Sequence, residues 1–375
     1  MTGRDGGRAE SDAPGIEADL PHVPHAFPAL GPTNPRALAM GLAIGTFGGF
    51  LFYLLGLPLA WMMGAAVFAT AAALGGQRIG VQPWLRQIML VVLGVMLGSG
   101  FSPDLVDTLP YWAGSIAALM ALTVVSGGLA YLFFRHVGGF DRTTAYFSGI
   151  PGGLAEMIAV GGAMGGDDRK ISLAHAVRIL VVVMTIPFWF RLHDGVQAMG
   201  GTGVGFADVG MVDYAILIAC GAIGAPLATL VRLPAAVILG PMILSAAAHY
   251  LGLTDSQPPA VIVAAAQVVI GTAIGCRFIG VRVREVGRTL LLAVGGGLIG
   301  VLVAAAFTIA AVAALDLSAA ALLLSFAPGG VAEMSLVALA LQADTAMVAA
   351  HHLFRIFFVV LLAPAVFRLW RRLQP

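Results

Sequence analysis

Two copies of one short motif, Ser-x-x-Pro-Gly-Gly-x-Ala-Glu-Met, hold the residues best suited to chemistry in this sequence. The first copy begins at Ser148 and the second at Ser325. Proline ends a helix, and paired glycines permit positive φ angles and the close approach of a ligand. A helix that starts after such a break exposes free N–H groups and a partial positive charge, which suit an anion or a carboxylate. The motif predicts two binding breaks, made by Pro151, Gly152 and Gly153 and by Pro328, Gly329 and Gly330.

A glutamate follows each glycine pair, Glu156 in the first copy and Glu333 in the second. Both lie in the first turn of the predicted helix. A charged side chain at the centre of a bilayer costs roughly 2.5 to 3.5 kcal/mol on insertion scales, so such residues are usually functional or paired. Each glutamate is therefore a candidate site for a proton or another coupling ion. The alternative is structural: each closes its own helix N-terminus and pairs with an arginine.

A histidine and an arginine follow each motif at a spacing of three residues, His175 with Arg178 and His352 with Arg355. This spacing places both side chains of a pair on one helix face. The arginines are the natural partners of the two glutamates, and recognition of a substrate anion is the competing role. For the histidines, a hydrogen bond to the backbone competes with a proton relay.

The two motifs belong to a longer internal repeat. A shift of 177 residues superposes the first motif on the second and stays in register from Ser148 to Arg191. The same shift places Gly94-x-x-x-Gly98 on Gly271-x-x-x-Gly275, a pattern that predicts close helix packing. Duplicated halves of this kind are typical of secondary transporters.

Composition indicates which elements position these residues. Hydrophobic residues make up 59% of the chain and charged residues only 10%, against roughly 25% charged in soluble domains. Apolar runs of about twenty residues recur, the length of a membrane-spanning helix. A net charge of +1 argues against a nucleic-acid-binding protein. Cys220 and Cys276 lack metal-type spacing, and adjacent His351 and His352 do not share a helix face, so no metal site and no cofactor are expected.

The apolar runs predict an all-α polytopic membrane protein with two inverted-topology repeats. Each repeat has six segments, about five transmembrane helices plus one re-entrant or broken helix that contains the Pro-Gly-Gly motif. This arrangement places nearly every arginine on the cytoplasmic side, including the cluster from Arg277 to Arg288, and leaves only Arg191 outside. Residues 1–35 are expected to be a disordered tail, 36–192 the first repeat, 193–212 a polar linker and 213–375 the second repeat. Asp167 and Asp344 are expected to cap helices.

The duplicated motif, followed by His-x-x-Arg-Ile and a proline at Pro187 and Pro364, resembles the membrane AbrB family. The resemblance covers nearly everything after residue 35. It implies an integral membrane protein, of a kind labelled AbrB, ammonia monooxygenase or regulator of gene expression. The soluble DNA-binding protein that shares the AbrB name has nothing similar to this chain.

These patterns favour a secondary transporter over an enzyme. The substrate is expected to be a small solute, with an anion favoured, bound between the two breaks and coupled to protons or sodium. The alternative is a membrane-embedded regulator of gene expression that senses or transports a metabolite. A monooxygenase ranks last because no redox ligand set is recognisable. The expected partners are the lipid bilayer and the solute, with a homo-oligomer left open, and the expected location is the bacterial inner membrane.

Overall fold

A computed structural model describes residues 34–57, 59–100, 112–194, 205, 209–233 and 235–372. Every regular element in these ranges is helical. Fourteen helices follow one another, and the fourth ends in a π-helical turn at Phe133–Val137. Their bounds are α1 Pro35–Leu54, α2 Ala60–Leu74, α3 Pro83–Gly98, α4 Trp112–Leu132, α5 Arg142–Gly149, α6 Leu154–Ala163, α7 Asp168–Asp194, α8 Met211–Leu230, α9 Ala236–Tyr250, α10 Ala260–Cys276, α11 Val283–Ala314, α12 Ala319–Phe326, α13 Val331–Ala340 and α14 Thr345–Arg372.

Six of the described helices are long and apolar enough to cross a membrane: α1, α4, α7, α8, α11 and α14. Helices α2, α3, α9 and α10 have 15 to 17 residues. At 1.5 Å per residue they reach only about 22 to 26 Å, against roughly 30 Å of hydrocarbon. The five helices expected in each half are thus three long helices and two shorter ones. The chain is a multi-pass helical membrane protein.

The helix bounds follow the register of the sequence repeat. Helices α5 and α6 coincide with α12 and α13 after a shift of 177 residues, and α1 and α2 coincide with α8 and α9 after a shift of 176. Even an unusual feature recurs, since Leu59 and Ala235, which precede α2 and α9, both have left-handed φ angles of 47° and 50°. Non-glycine residues rarely adopt this conformation.

The glycines of the two Gly-x-x-x-Gly patterns bring the two halves together. Helix α3 packs on α9 and helix α10 packs on α2. Gly94 lies directly against the carbonyl of Ile238, and Gly271 lies in the equivalent way against the carbonyl of Met62. No side chain larger than hydrogen fits between backbones this close. The predicted close packing is confirmed.

Two equivalent helices of the halves, α4 and α11, run antiparallel. Gly114 at the start of α4 contacts Leu315 just beyond the end of α11, whereas Phe133 and Phe134 beyond the end of α4 contact Gly295 and Gly296 in the first part of α11. Equivalent helices that both span a membrane are antiparallel when the halves are inverted. The pairing is the geometry that the inverted arrangement requires.

The segment that contains each motif is a helical hairpin. Helices α5 and α6 have 8 and 10 residues and are separated by residues 150–153. The Asp167 N–H, beyond the end of α6, donates to Thr144 Oγ1 in the first turn of α5 at 2.8 Å. The chain therefore returns to where the segment began. Helices α12 and α13 repeat the arrangement, since Leu322 and Met347 share a hydrophobic cluster at the open end of the hairpin.

Several smaller expectations have a clear outcome. Asp167 and Asp344 cap α7 and α14, because their carboxylates accept from the N–H groups of Lys170 and Met347. Arg191 donates to the carbonyl of Leu55 at the end of α1, which accounts for an arginine at that end of the fold. The expected tail up to residue 33, and residues 195–204 and 206–208 of the expected linker, lie outside the described residues.

Candidate functional site

The two breaks are extended stretches between short helices. Gly153 and Gly330 precede α6 and α13 with φ angles of −65° and −90°, and none of the four motif glycines has a positive φ. Of the two roles that the sequence allows for these glycines, positive φ angles are not used, and close packing is. A Cβ at Gly152 would lie 2.8 Å from both Met157 Sδ and Val359 Cγ1.

Arg178 connects the two breaks. Its guanidinium donates from Nη1 to the Ile150 carbonyl at 3.3 Å and from Nη2 to the Gly152 carbonyl at 3.1 Å, both in its own half. From Nε it donates to the Pro328 carbonyl of the opposite half at 3.1 Å. Arg178 is buried. One side chain thus reaches both breaks, which places them next to each other as the sequence predicts.

Arg355 makes the equivalent bonds within the second half but not the bond between halves. It donates from Nη1 to the Ala327 carbonyl and from Nη2 to the Gly329 carbonyl, both at 2.6 Å. Its Nη2 also bonds to His352 Nδ1 at 2.8 Å. Its Nε is buried and has no hydrogen-bond partner among the described residues. The pair of arginines is therefore equivalent in sequence but not in contacts.

The expected ion pairs between these arginines and the motif glutamates are wrong. Arg178 and Arg355 donate hydrogen bonds to backbone carbonyls at the ends of α5 and α12. Carbonyls at a helix C-terminus carry partial negative charge, and broken backbone at membrane depth must be satisfied inside the protein. A guanidinium has five N–H donors and a positive charge, so it can satisfy these carbonyls, whereas an ionised carboxylate can only accept hydrogen bonds.

The histidines hold the first helix of each hairpin. His175 Nε2 bonds to the Phe147 carbonyl at 2.8 Å, and His352 Nε2 bonds to the Leu324 carbonyl at 2.9 Å. The expected backbone hydrogen bond is confirmed for both. His175 Nδ1 has no partner in the described part of the chain, in contrast to His352 Nδ1. His351 lies apart, against Ser115 Oγ at 2.8 Å.

The serines that open the motifs are buried beside the breaks. Ser148 is 4% exposed and Ser325 is fully buried. Neither hydroxyl has a hydrogen-bond partner among the described residues. A buried hydroxyl is normally bonded, so an unbonded pair at equivalent positions marks a place where a ligand or water can bind.

The two glutamates differ in their surroundings. Each carboxylate curls back over its own helix N-terminus, so that Glu156 lies against Gly153 and Glu333 against Gly330. Glu333 is only 7% exposed, whereas Glu156 is exposed. The structure thus separates two residues that the sequence treats as equivalent.

Arg277 is a member of the site that sequence reasoning missed. It caps α10, and its guanidinium interacts electrostatically with Glu333 and with His175, without a direct ion pair. Its Nη1 is buried without a hydrogen-bond partner in the described residues. The sequence grouped Arg277 with the cytoplasmic loop arginines. One signal could have singled it out, because its counterpart under the 177-residue shift is Gly100.

Fold and site together define a class. The chain is a multi-pass membrane protein with two paired helical hairpins, whose broken tips meet around buried arginines. The family model described as "Transition state regulatory protein AbrB" matches residues 61–371. The chain belongs to the AbrB family, as its resemblance in sequence indicates.

Two relatives match over most of their lengths. "Uncharacterized protein YhjN" of Bacillus subtilis (strain 168) is 27% identical over 361 residues, which cover 89% of this chain and 93% of that protein. "Putative regulator AbrB" of Escherichia coli (strain K12) is 24% identical over 336 residues, which cover 88% of this chain and 94% of that protein. The sequence similarity therefore extends along nearly the whole of both relatives.

Proposed function

We propose that this protein is a secondary transporter of a small anionic solute, which binds between the two Pro-Gly-Gly breaks. The observation that carries the proposal is the charge of the site. Arg178 and Arg355 are both buried and close enough to repel each other, and neither forms an ion pair with a carboxylate in the described residues. Buried charge without a counter-charge is costly, so a site of this kind favours an anion.

The remaining donors of the site support the same ligand class. Arg355 Nε, Arg277 Nη1 and the hydroxyls of Ser148 and Ser325 are buried, and none of them has a hydrogen-bond partner among the described residues. The N-termini of α6 and α13 add partial positive charge at the hairpin tips. Half-helix N-termini directed at an anionic substrate are a recurring arrangement in transporters with inverted repeats.

The antiparallel pairing of α4 with α11 supports two inverted halves, and the short hairpins support re-entrant segments. Two such halves can expose one central site first to one side of the membrane and then to the other. We place the protein in the bacterial inner membrane, with a proton or sodium gradient as the driving force and no chemical conversion of the solute.

The test is uptake of labelled organic and inorganic anions, with organic amines as a matched cationic panel, into proteoliposomes under imposed proton or sodium gradients. We expect gradient-driven uptake of an anion, with at least a tenfold loss in the Arg178→Gln, Arg355→Gln double variant. Uptake of amines alone, or anion uptake that the double variant retains in full, contradicts the anionic site.

Regulation of gene expression is the second candidate, because the Escherichia coli relative is named as a regulator. In this alternative the occupied site signals to a partner. Transcript profiles of a deletion strain, complemented with the native chain or with the double arginine variant, separate the two. If the protein is a transporter, the transcript profile should change with the solute supplied in the medium for both complemented strains. If it is a signalling protein, the transcript change should be independent of solute uptake.

A further inference from the structure

The two hairpins occupy different positions in the structure. Seven of the ten residues of α13 are buried, among them Glu333, whereas only three of the ten residues of α6 are buried. Helix α13 packs against α3 and α7 of the opposite half, while α6 packs mainly against α5 and α7 of its own half. Helix α13 thus occupies a position inserted into the bundle, whereas α6, which has the same length and motif, occupies an outer position.

The arginines show the same difference. Arg178 Nε bonds across to Pro328, and His175 Nδ1 has no partner in the described residues. Arg355 instead bonds to His352 Nδ1, and its own Nε has no partner in the same part of the chain. Exchange of the two hairpin positions would pair Arg355 Nε with the Pro151 carbonyl. Two inverted halves that adopt unlike conformations, and then exchange them, expose a central site to alternate sides.

This exchange has unequal consequences for the two carboxylates. Glu333 is buried with the Arg277 guanidinium nearby. The residue equivalent to Arg277 in the first half is Gly100, which offers no charge. Glu156 would therefore enter the inserted position without a counter-charge, and an uncompensated buried carboxylate is costly.

We propose that Glu156 takes up one monovalent cation, a proton or a sodium ion, and carries it when α6 moves into the inserted position. This inference rests on the proposed function and names the coupling site for it. Glu333 is the fixed counterpart, with the positive charge of Arg277 nearby, and carries no cation. The anion at the centre and the cation on Glu156 then move together.

The charged and titratable groups around Glu156 do not replace that cation. On the elements packed against α6, these groups are Asp141, Arg142 and Tyr146 at α5, Asp168, Arg169, Lys170, His175, Arg178 and Arg191 on α7, and His351, His352, Arg355, Arg368, Arg371 and Arg372 on α14. Lys170, Arg178 and Arg355 form no ion pair with Glu156 in the described part of the chain.

The test follows the position of α6 without any solute. In a chain with Cys220→Ala and Cys276→Ala, an Ala155→Cys thiol on the exposed side of α6 is labelled with a membrane-impermeant maleimide. One series varies pH without sodium, and another varies sodium at fixed pH. Labelling of Arg169→Cys, exposed outside the hairpin, corrects for the pH dependence of the reagent. The matched control is Ala332→Cys, its buried counterpart on α13.

We expect the proton or sodium ion to lower Ala155→Cys labelling at least fivefold, and not to alter Ala332→Cys. Glu156→Gln, neutral as if loaded, keeps labelling low without the cation. Gly100→Arg supplies the missing charge and does the same. The side chain would point into a cavity of about 380 Å³ next to Gly100, and Thr345 Oγ1, which lies 2.7 Å from the added Cβ, must move aside to admit it. The Glu333→Gln, Arg277→Gln double variant retains the cation response.

Labelling that responds to neither cation, or that responds equally in Glu156→Gln, overturns the inference. If anion uptake persists alongside that result, the proposed transport function is retained and Glu156 is not its coupling site. Cation-dependent labelling with no uptake of any anion keeps the cation site and removes the proposed solute.

Discussion

The Nε atom of Arg178 donates to the carbonyl of Pro328 across the interface between the two halves, at 3.1 Å. A single guanidinium therefore fixes the distance between two breaks that are 177 residues apart in sequence. Its three bonds satisfy three carbonyls that the interrupted helices leave open. This link between the halves is thus also part of the proposed anion site.

Replacement of Arg178 by lysine is expected to weaken the protein more than the same change at Arg355. A lysine keeps the charge but cannot reach three separate carbonyls, one of them in the opposite half. Hydrogen bonds to charged groups contribute about 1.5 to 3 kcal/mol each, so we expect Arg178→Lys to lower the free energy of unfolding by about 2 to 4 kcal/mol. Thermal unfolding of the purified proteins in detergent measures the difference. Equal losses in the two variants would show that the bond across the halves adds nothing.

Alanine at Gly152 is expected to be more harmful than alanine at Gly329. The added methyl group at Gly152 meets Val359 Cγ1 at 2.8 Å, a short and branched side chain, as well as Met157. At Gly329 the nearest atoms all belong to Met334, a flexible side chain that can move aside. We expect overpacking of about 1 to 3 kcal/mol at Gly152 and less than half of that at Gly329.

Thermal unfolding and uptake measured on both variants check this ranking. Gly128→Ala is the control, because no atom of the described residues lies within 4 Å of the position of its added methyl group. Val359→Ala combined with Gly152→Ala should restore part of the loss. A loss at Gly152 that Val359→Ala leaves unchanged would indicate that the glycine is needed for backbone freedom instead of space.

Sequence reasoning predicted the helical class, the duplication and the position of both breaks, because these features depend on local patterns that each half carries twice. It predicted contacts between side chains less well. The arginines bind carbonyls rather than Glu156 and Glu333, since a broken helix creates carbonyl acceptors that a list of charged residues does not show. Hydrogen bonding to these carbonyls therefore determined the position of the arginines, rather than the attraction between opposite charges.

The difference between the halves could not be predicted from a repeat. Sequence equivalence assigns the same environment to Glu156 and Glu333, yet one is exposed and the other buried. Only equivalent positions with different residues, such as Arg277 and Gly100, indicate in advance that the two halves differ in function.

The glycines between the halves are expected to control stability without changing the charged site. A methyl group at Gly94 or Gly271 would collide with backbone carbonyls of the opposite half, which cannot rotate away. We expect Gly94→Ala and Gly271→Ala each to lower the free energy of unfolding by about 1 to 3 kcal/mol. Gly287→Ala, where the added methyl group has no described atom within 4 Å, serves as control in the same thermal unfolding series. Stability equal to that of the control would mean that the halves do not rely on this contact.

The membrane orientation of the hairpins gives the last prediction. The hydrogen bond from Asp167 to Thr144 brings both ends of the first hairpin together, so cysteines at Arg142 and Arg169 should be labelled from the same side of the membrane. Cysteines at Ala319 and Gln342, exposed positions at the ends of the second hairpin, should both be labelled from the opposite side if the halves are inverted. The measurement is maleimide labelling of intact cells and of inverted vesicles, in the chain without Cys220 and Cys276. Labelling of Arg142→Cys and Arg169→Cys from different sides would show that the segment crosses, and labelling of all four positions from one side would show that the halves are parallel.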